Sequence, residues 1–569
     1  MDYKTKYNKW LNSNQLSKEL KQELQSLNEQ QIIDVFYKNI EFGTGGMRGV
    51  MGVGTNRINS IMIKKATLGY ANFLLKTDKD VKEKGIVIAH DNRKNARLFT
   101  LTTAGVFASM GIKTYIFNSL RPTPLLSFAI RYLNCSGGVI ITASHNPKQY
   151  NGYKLYNAEG CQLVTEHTNK IFEEIEKIEE ELNINCNTNS PLIKILDDSV
   201  DKAYEEMFLK NSLDKNIDTS NFKIVFSPQH GASYVPMMNV LQKLGYQVYN
   251  VKEQSYPSET FENTKSPNPE EQVAYEKAIE LGKSVNADLM LTTDPDGDRV
   301  GIVILDKNKQ PVYFNGNQTA ALLIEYILNF KKQNNLLKLP SVIYTTIVTS
   351  PLGEKIAKSY DVDCEKTLTG FKYIGDKIEK ALQNNGPEFI IGYEESYGYL
   401  IDANVRDKDS IQSALLIAEM TCYYKQQNLN LCDALENIYK KYGYYCEGLK
   451  SIYLEGQKGA IQIAKFMETL RNSPYTNIAN EKLIAVEDYV TLERKENDKI
   501  IKLDMEQSNV LRFILEEYGF VAIRPSGTEP KCKFYFSVFG KTKEEAQEKF
   551  DKITNFIMSD AERILKELN

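Results

Sequence analysis

The residues best suited to chemistry lie in a few polar loops. Ser144 and His145 stand together in Thr142-Ala143-Ser144-His145-Asn146-Pro147, directly after the apolar run Val139-Ile140-Ile141. Such a run reads as a buried strand end, and strand tips are where ligands collect in α/β proteins. Serine is a weak nucleophile and needs a base or a metal beside it. Lys154 follows the turn pair Asn151-Gly152, which can fold its ammonium group back towards Ser144. Taken alone, the stretch also reads as a polar loop with an incidental serine.

A second loop reads Thr293-Asp294-Pro295-Asp296-Gly297-Asp298-Arg299. Three carboxylates at alternate positions of a Gly-containing turn can converge on one hard cation, and all-oxygen donors favour Mg2+ over zinc. A solvated acidic turn or a calcium loop reads similarly, although no glutamate follows at the EF-hand position. A third loop, Arg524-Pro525-Ser526-Gly527-Thr528, offers a guanidinium fork, two hydroxyls and a glycine amide, with Lys531 and Lys533 close behind. That set suits a phosphate dianion, whereas a plain turn has no use for the arginine and hydroxyls. In Gly43-Thr44-Gly45-Gly46-Met47-Arg48 the glycines allow close backbone approach to a ligand, and Arg48 can present its fork to an oxyanion. Glu394 and Ser396, in Gly392-Tyr393-Glu394-Glu395-Ser396-Tyr397-Gly398, suit vicinal sugar hydroxyls or an ordinary polar turn. Together these parts form phosphoryl-transfer equipment for a phosphorylated sugar. No Walker A or kinase glycine loop occurs, so a nucleotide is not the evident donor.

Strands and helices must carry these loops. Residues 85–90, 95–110 and 113–117 read as strand, helix and strand, a βαβ unit upstream of Ser144. A second unit reads as strand 222–226, helix 235–244, strand 246–251, helix 270–284 and strand 288–291, with strand 300–305 leaving the acidic loop. A third reads as helix 317–330, strand 342–348, helix 374–382 and strand 389–392. The last stretch has strands at 483–490, 499–503, 519–523 and 533–538. A closing helix runs from 543 with Phe550, Ile553, Phe556, Ile557, Ile564 and Leu565 on one face, which predicts a smaller α+β domain. The first forty residues read as helical, with one stripe of Leu16, Leu20, Leu24 and Leu27. Ile171, Ile175, Ile178 and Leu182 mark an acidic amphipathic helix, and 183–191 a linker.

A chain of 569 residues suggests about three or four domains. With 42% hydrophobic and 25% charged residues it is globular in composition, and a net charge of -4 argues against a general nucleic-acid binder. The absence of a long apolar run predicts no membrane span, and the polar start predicts no secretory signal. Eight scattered cysteines without a CxxC pair predict neither a zinc site nor a disulfide framework, and point to a cytoplasmic location.

With these motifs in this order, the chain resembles the α-D-phosphohexomutase superfamily. The resemblance is greatest to its long bacterial branch, which joins phosphoglucomutases, phosphopentomutases and glucose-1,6-bisphosphate synthases. The matching stretches are 43–48, 142–154, 294–299, Thr367-Leu368-Thr369-Gly370-Phe371-Lys372, 392–398, Arg406-Asp407-Lys408-Asp409-Ser410 and 524–530. They span nearly the whole chain after the N-terminal helices. The resemblance implies an α/β fold: three tandem α/β domains with mixed sheets plus a C-terminal α+β domain, arranged around a central cleft. The expected limits are 1–208, 209–315, 316–446 and 447–569. It implies that Ser144 carries a phosphoryl group and joins Asp294, Asp296 and Asp298 around one Mg2+. Lys154 is the implied general base, a role that asks for a lysine well below its free pKa of ~10.4. Arg48, His145, Arg299 and Lys408 match positions near the transferring phosphate or the substrate. Thr369 and Gly370 match a sugar-contacting turn, and Glu394 and Ser396 the sugar clamp. Arg524, Ser526, Gly527, Thr528 and Lys533 match the clamp on the phosphate that is not reacting. The implied reaction interconverts glucose 1-phosphate and glucose 6-phosphate through glucose 1,6-bisphosphate. Ser396 leans the reading towards hexose; a phosphopentomutase, a phosphomannomutase or a catalytically silent homologue would share the scaffold. The expected partner is a small sugar phosphate, with no nucleic acid and no membrane, and the chain is expected as a monomer or homodimer.

Overall fold

The computed structural model describes residues 2–40, 42–43, 46–454, 456–497, 499–526 and 530–568. The chain forms two compact units. The first comprises Met1–Asn315, Phe371–Gly392 and Ser396–Tyr423, and the second Gly316–Gly370, Tyr393–Glu395 and Tyr424–Asn569.

In the first unit, the N-terminal residues form three short helices, Tyr3–Leu11, Lys18–Ser26 and Glu29–Phe36, and the leucine stripe lies on the second helix and its flanks. Asp2, Ser17 and Asn28 each accept an amide of the first turn, and these caps set where the three helices begin. Leu16 and Leu24 are buried, and Leu20 and Leu27 pack partly against the same core as Met47, Val53 and Ile58. Trp10 is fully buried and donates its indole N–H to Glu181 at 3.1 Å. Burial of such a ring stabilises by about 4 kcal/mol. The N-terminal helices thus extend the core of the first α/β layer.

Among the described residues that layer has a mixed seven-stranded sheet. From one edge its strands are Phe42–Gly43, Gly46–Val50, Tyr150–Tyr156, Gly137–Ile141, Ile86–His90, Thr114–Ile116 and Ile193–Ile195. The last four are parallel and the returning strand Tyr150–Tyr156 is antiparallel to Gly137–Ile141. Ile86–His90 and Gly137–Ile141 are buried throughout, as expected of parallel strands covered on both faces. The helices Ala96–Ser109 and Thr123–Tyr132 pack against them. The acidic helix is shorter than its apolar spacing predicts, spanning Thr165–Glu176, and Leu182 sits in a separate turn, Glu181–Asn183. Crowding of like charges at Glu176, Glu179, Glu180 and Glu181 opposes continuation.

The second sheet, also mixed, has the order Pro311–Phe314, Val300–Leu305, Leu289–Thr293, Lys223–Ser227 and Gln247–Asn250. Strand 288–291 in the sequence reading extends to Thr293, so it runs straight into Asp294. The helix expected from 270 begins at Glu276 after the tight turn Gln272–Tyr275, because Asn268-Pro269 starts a turn there. The helix Ser410–Gln426, absent from the sequence reading, is buried at every position from Ser410 to Cys422. With Gln412, Ser413, Glu419 and Thr421 buried among its apolar residues, it has no polar face to set off an apolar stripe.

In the second unit, Ser341–Thr346 and Asp363–Thr367 pair in parallel with the helix Leu352–Lys358 between them. The C-terminal domain is an antiparallel sheet in the order Tyr444–Tyr453, Lys531–Gly540, Phe520–Pro525, Leu511–Ile514, Ala485–Asp488, Glu493–Glu496 and Lys499–Lys502. The helix Lys543–Glu567 buries Ile553, Ile557, Ile564 and Leu565 against it, while Phe556, 39% exposed, lies against Tyr475. This is the expected α+β domain.

Candidate active site

Ser144 stands just beyond the strand Gly137–Ile141, with its backbone in the left-handed region at φ 51°. The chain then returns along Tyr150–Tyr156, whose register sets Lys154 opposite Ile140 on one side and Gly46 on the other. At Gly46, φ is 151° and a Cβ would stand 2.1 Å from the Tyr153 carbonyl oxygen. Gly46 is therefore explained by strand packing. Thr44 and Gly45 of the same loop lie outside the described residues. Ser144 Oγ donates to Asp294 Oδ2 at 2.7 Å and lies 3.2 Å from His145 Nδ1.

The acidic loop closes on itself first: Asp294 Oδ1 accepts the amides of Asp298 and Arg299, both at 3.1 Å. Three other elements then hold it. The Ala232 amide donates to the Pro295 carbonyl at 2.8 Å, and the Ser410 hydroxyl to the Gly297 carbonyl at 2.6 Å. Thr123 donates its amide to the Asp296 carbonyl at 2.8 Å and its hydroxyl to Asp296 Oδ2 at 3.0 Å. The three carboxylates are buried and their ligand atoms lie within 4.8 Å of one another. Asp296 Oδ1 and Asp298 Oδ1 are buried without a hydrogen-bond partner among the described residues. Convergent, buried, partly unsatisfied carboxylate oxygens fit a hard metal ion.

Two ammonium groups face the same carboxylates. Lys154 Nζ lies 3.0 Å from Asp296 and 3.6 Å from Asp298, and Lys408 Nζ lies 3.1 Å from Asp298 and 3.2 Å from Asp407. Burial pushes Asp294 well above the usual carboxylate range, and Asp296 and Asp298 push the same way. Burial also raises Asp296, but the Lys154 ammonium, a hydrogen bond with Asp294 and the Lys408 ammonium together outweigh it and hold Asp296 far below that range. Burial draws Lys154 down, yet Asp296 and Asp298 together carry it above the ordinary lysine value. The lysine therefore stands as an ammonium in this arrangement, opposite to what a general base needs. A bound cation would take up the charge that holds it so.

Of the other expected site residues in this unit, Arg299 pairs with Glu270, and its Nε lies 3.8 Å from Asp298. Lys408 passes Gly398, where a Cβ would stand 2.0 Å from Lys408 Cδ. Arg48 is exposed on Gly46–Val50, opposite Gly152, and Ser396 is half-buried. In the second unit, Glu394 Oε1 accepts the Gly370 amide at 3.0 Å, and Thr369 Oγ1 is buried without a hydrogen-bond partner among the described residues. Arg524 faces Lys533 across the sheet, and the Ser526 amide donates to the Lys531 carbonyl at 2.7 Å. Gly527 and Thr528 lie outside the described residues.

Thr123 and Tyr156 belong to none of the motifs, yet each holds a carboxylate of this site. Thr123 opens a helix with a proline in its first turn, a helix-start signal that says nothing of an acidic loop 173 residues away. Tyr156 donates to Asp407 Oδ2 at 2.6 Å and so fixes the carboxylate beside Lys408. Its strand alternation marks only burial.

Three family models match in tandem: phosphoglucomutase/phosphomannomutase alpha/beta/alpha domain I over residues 39–182, domain II over 202–307 and domain III over 315–442. A phosphoglucomutase of Staphylococcus haemolyticus is 38% identical over 533 residues, 93% of this chain and 95% of that one. Among solved structures, the parafusin phosphoglucomutase of Paramecium matches with a TM-score of 0.66 at 19% identity, covering 93% of this chain and 96% of that one. An Aspergillus fumigatus N-acetylphosphoglucosamine mutase, solved with GlcNAc-6P and magnesium, matches with a TM-score of 0.50 at 13% identity, covering 93% and 96%. These likenesses follow the order of the loops already described, and the chain belongs to the phosphoglucomutase/phosphomannomutase family.

Proposed function

We propose that this protein is a phosphoglucomutase, interconverting α-D-glucose 1-phosphate and glucose 6-phosphate through a phosphoserine enzyme and glucose 1,6-bisphosphate. The observation that carries the reading is Ser144 Oγ 2.7 Å from Asp294, in a buried acidic triad that also holds Lys154 3.0 Å from Asp296. In this reading, a phosphoryl group on Ser144 passes to the free hydroxyl of the sugar monophosphate. The resulting bisphosphate turns over and returns its other phosphoryl group to Ser144. Asp294, Asp296, Asp298 and the Ser144 phosphate would hold one Mg2+, which neutralises charge on a transferring phosphoryl group. Lys154 takes the proton of the attacking hydroxyl at Nζ once the carboxylates no longer hold it as an ammonium. His145, Arg48, Arg299 and Lys408 steady the phosphoryl oxygens. Thr369, Gly370, Glu394 and Ser396 read the sugar hydroxyls. Arg524, Ser526, Gly527, Thr528 and Lys533 hold the phosphate that is not reacting. The eight cysteines are free thiols, which supports a cytoplasmic setting.

The test compares kcat/KM for glucose 1-phosphate, mannose 1-phosphate and ribose 1-phosphate, with Mg2+ and catalytic glucose 1,6-bisphosphate. Ser144→Ala is expected to lower turnover by about 10⁴-fold or more. A preference for glucose is expected. Ribose preference would make the protein a pentomutase, and no turnover of any of the three would end the mutase reading.

A further inference from the structure

The loop that carries Ser144 is tied down by an arginine outside the loops that supply Ser144, the acidic triad and Arg524. Arg93 follows the strand Ile86–His90, and its side chain is fully buried. Nη2 donates to the carbonyls of Ser144 and Asn146, both at 2.5 Å, and Nη1 to those of Pro147 and Tyr150 at 2.9 and 3.0 Å. Nε lies 3.2 Å from Asp91 Oδ2. That carboxylate oxygen accepts the Thr142 hydroxyl at 2.6 Å, and the Thr142 hydroxyl oxygen accepts the Ser144 amide at 2.8 Å. Both backbone groups of Ser144 therefore end on one buried ion pair, the carbonyl directly and the amide through Thr142. The Phe261 ring covers the guanidinium, 5.3 Å from its centroid, and Asn92 donates to the Ser258 carbonyl at 2.7 Å, so a loop of the second α/β layer closes over the pair.

Ser144 holds φ 51°, a conformation that a non-glycine residue keeps only where its surroundings impose it. Four carbonyls spread along a turn demand a rigid planar fork with several N–H groups. An ammonium at the end of a flexible stem cannot serve them together. We propose that Arg93, locked by Asp91, is the positioning residue for Ser144: it imposes the left-handed turn that points Ser144 Oγ at Asp294 and at the phosphoryl group to be transferred. The kinetic part of this inference rests on the mutase reading; the geometric part does not.

The test uses the full chain with Arg93→Ala and Arg93→Lys beside the wild type, and has two readouts. The first is kcat and KM for glucose 1-phosphate, with and without guanidinium ion at concentrations that leave the fold intact. In Arg93→Ala, kcat is expected to fall about 100-fold while KM changes less than about threefold, and added guanidinium restores about tenfold. Arg93→Lys is expected to lie near Arg93→Ala, since it keeps the charge and loses the fork. The second readout is backbone hydrogen exchange, expected to accelerate about tenfold in residues 142–151 and to stay unchanged elsewhere. Unchanged kcat, or exchange that speeds uniformly as in a general loss of stability, overturns the proposal. If the wild type itself turns over no sugar phosphate, the mutase reading falls and the exchange pattern alone decides the role of Arg93. If Arg93→Ala does not fold, Arg93→Lys supplies both readouts.

Discussion

The acidic turn at 294–298 and the residues Arg524, Ser526 and Lys531 each adjoin a strand and each carry polar or charged groups, yet they are held in different ways. The acidic turn has its carboxylates 0–2% exposed and takes hydrogen bonds from Thr123, Ala232, Ser144 and Ser410, all distant in sequence. Arg524 and Ser526 are held by their own sheet, Arg524 opposite Lys533 and the Ser526 amide on Lys531, and both are half-buried. Like charges brought together away from water need outside tethers, because each repels the others and has lost its hydration. A cationic reader of phosphate needs no such frame; its charge attracts the ligand from solvent. The fold gathers its buried polar contacts around the three carboxylates and leaves the Arg524 charge closer to water.

The largest effect should come from the buried side. Asp296→Asn removes the carboxylate that Lys154 and Thr123 share, and kcat is expected to fall about 1000-fold, with Mg2+ titrations moved to higher concentration. Activity near wild type at the same Mg2+ would mean the triad is a structural acidic turn. Next comes the open side. Arg524→Ala should reduce kcat/KM about 100-fold, mostly through KM, because a charge-assisted fork on phosphate is lost while the transfer centre stays intact. A loss confined to kcat would place Arg524 at the transfer step and erase the contrast. The smallest effect tests the tethers themselves. Thr123→Val keeps the shape and removes one hydrogen bond to Asp296, so Mg2+ affinity should weaken about tenfold, with kcat at saturating Mg2+ within about threefold of wild type. An unchanged Mg2+ titration would show that the loop needs no support from that helix.

Much of this was legible in the residues, and the misses have physical causes. The Ser144 and Asp294 loops follow continuous apolar runs, because their parallel strands are buried on both faces and need no polar residue until the tip. The strand Asp363–Thr367 escaped notice because Asp-Cys-Glu-Lys-Thr has little apolar content and only its last residue is buried. The limits of the N-terminal helices are not legible from the leucines, because Leu16 precedes the cap Ser17 and Leu27 is itself the C-cap, so the stripe overruns the helix Lys18–Ser26 at both ends. Ser144, Lys154 and the triad were legible as chemistry. Arg93 was not, since a lone arginine after a strand looks the same whether it meets solvent or four carbonyls.

The sequence by itself determined which groups this protein has for its chemistry, their order along the chain and the strands that deliver them. Those follow from local rules: apolar runs end at polar tips, glycines permit tight pairing, and alternate carboxylates share a side of a turn. Only the tertiary structure decided that Ser144 meets Asp294 across 150 residues, that Lys154 lies on Asp296 as an ammonium, and that Arg93 gathers the carbonyls of the serine loop. These are long-range contacts between buried polar groups. Their energies depend on removing water and on the final distances between charges, and neither exists until the sheets have packed.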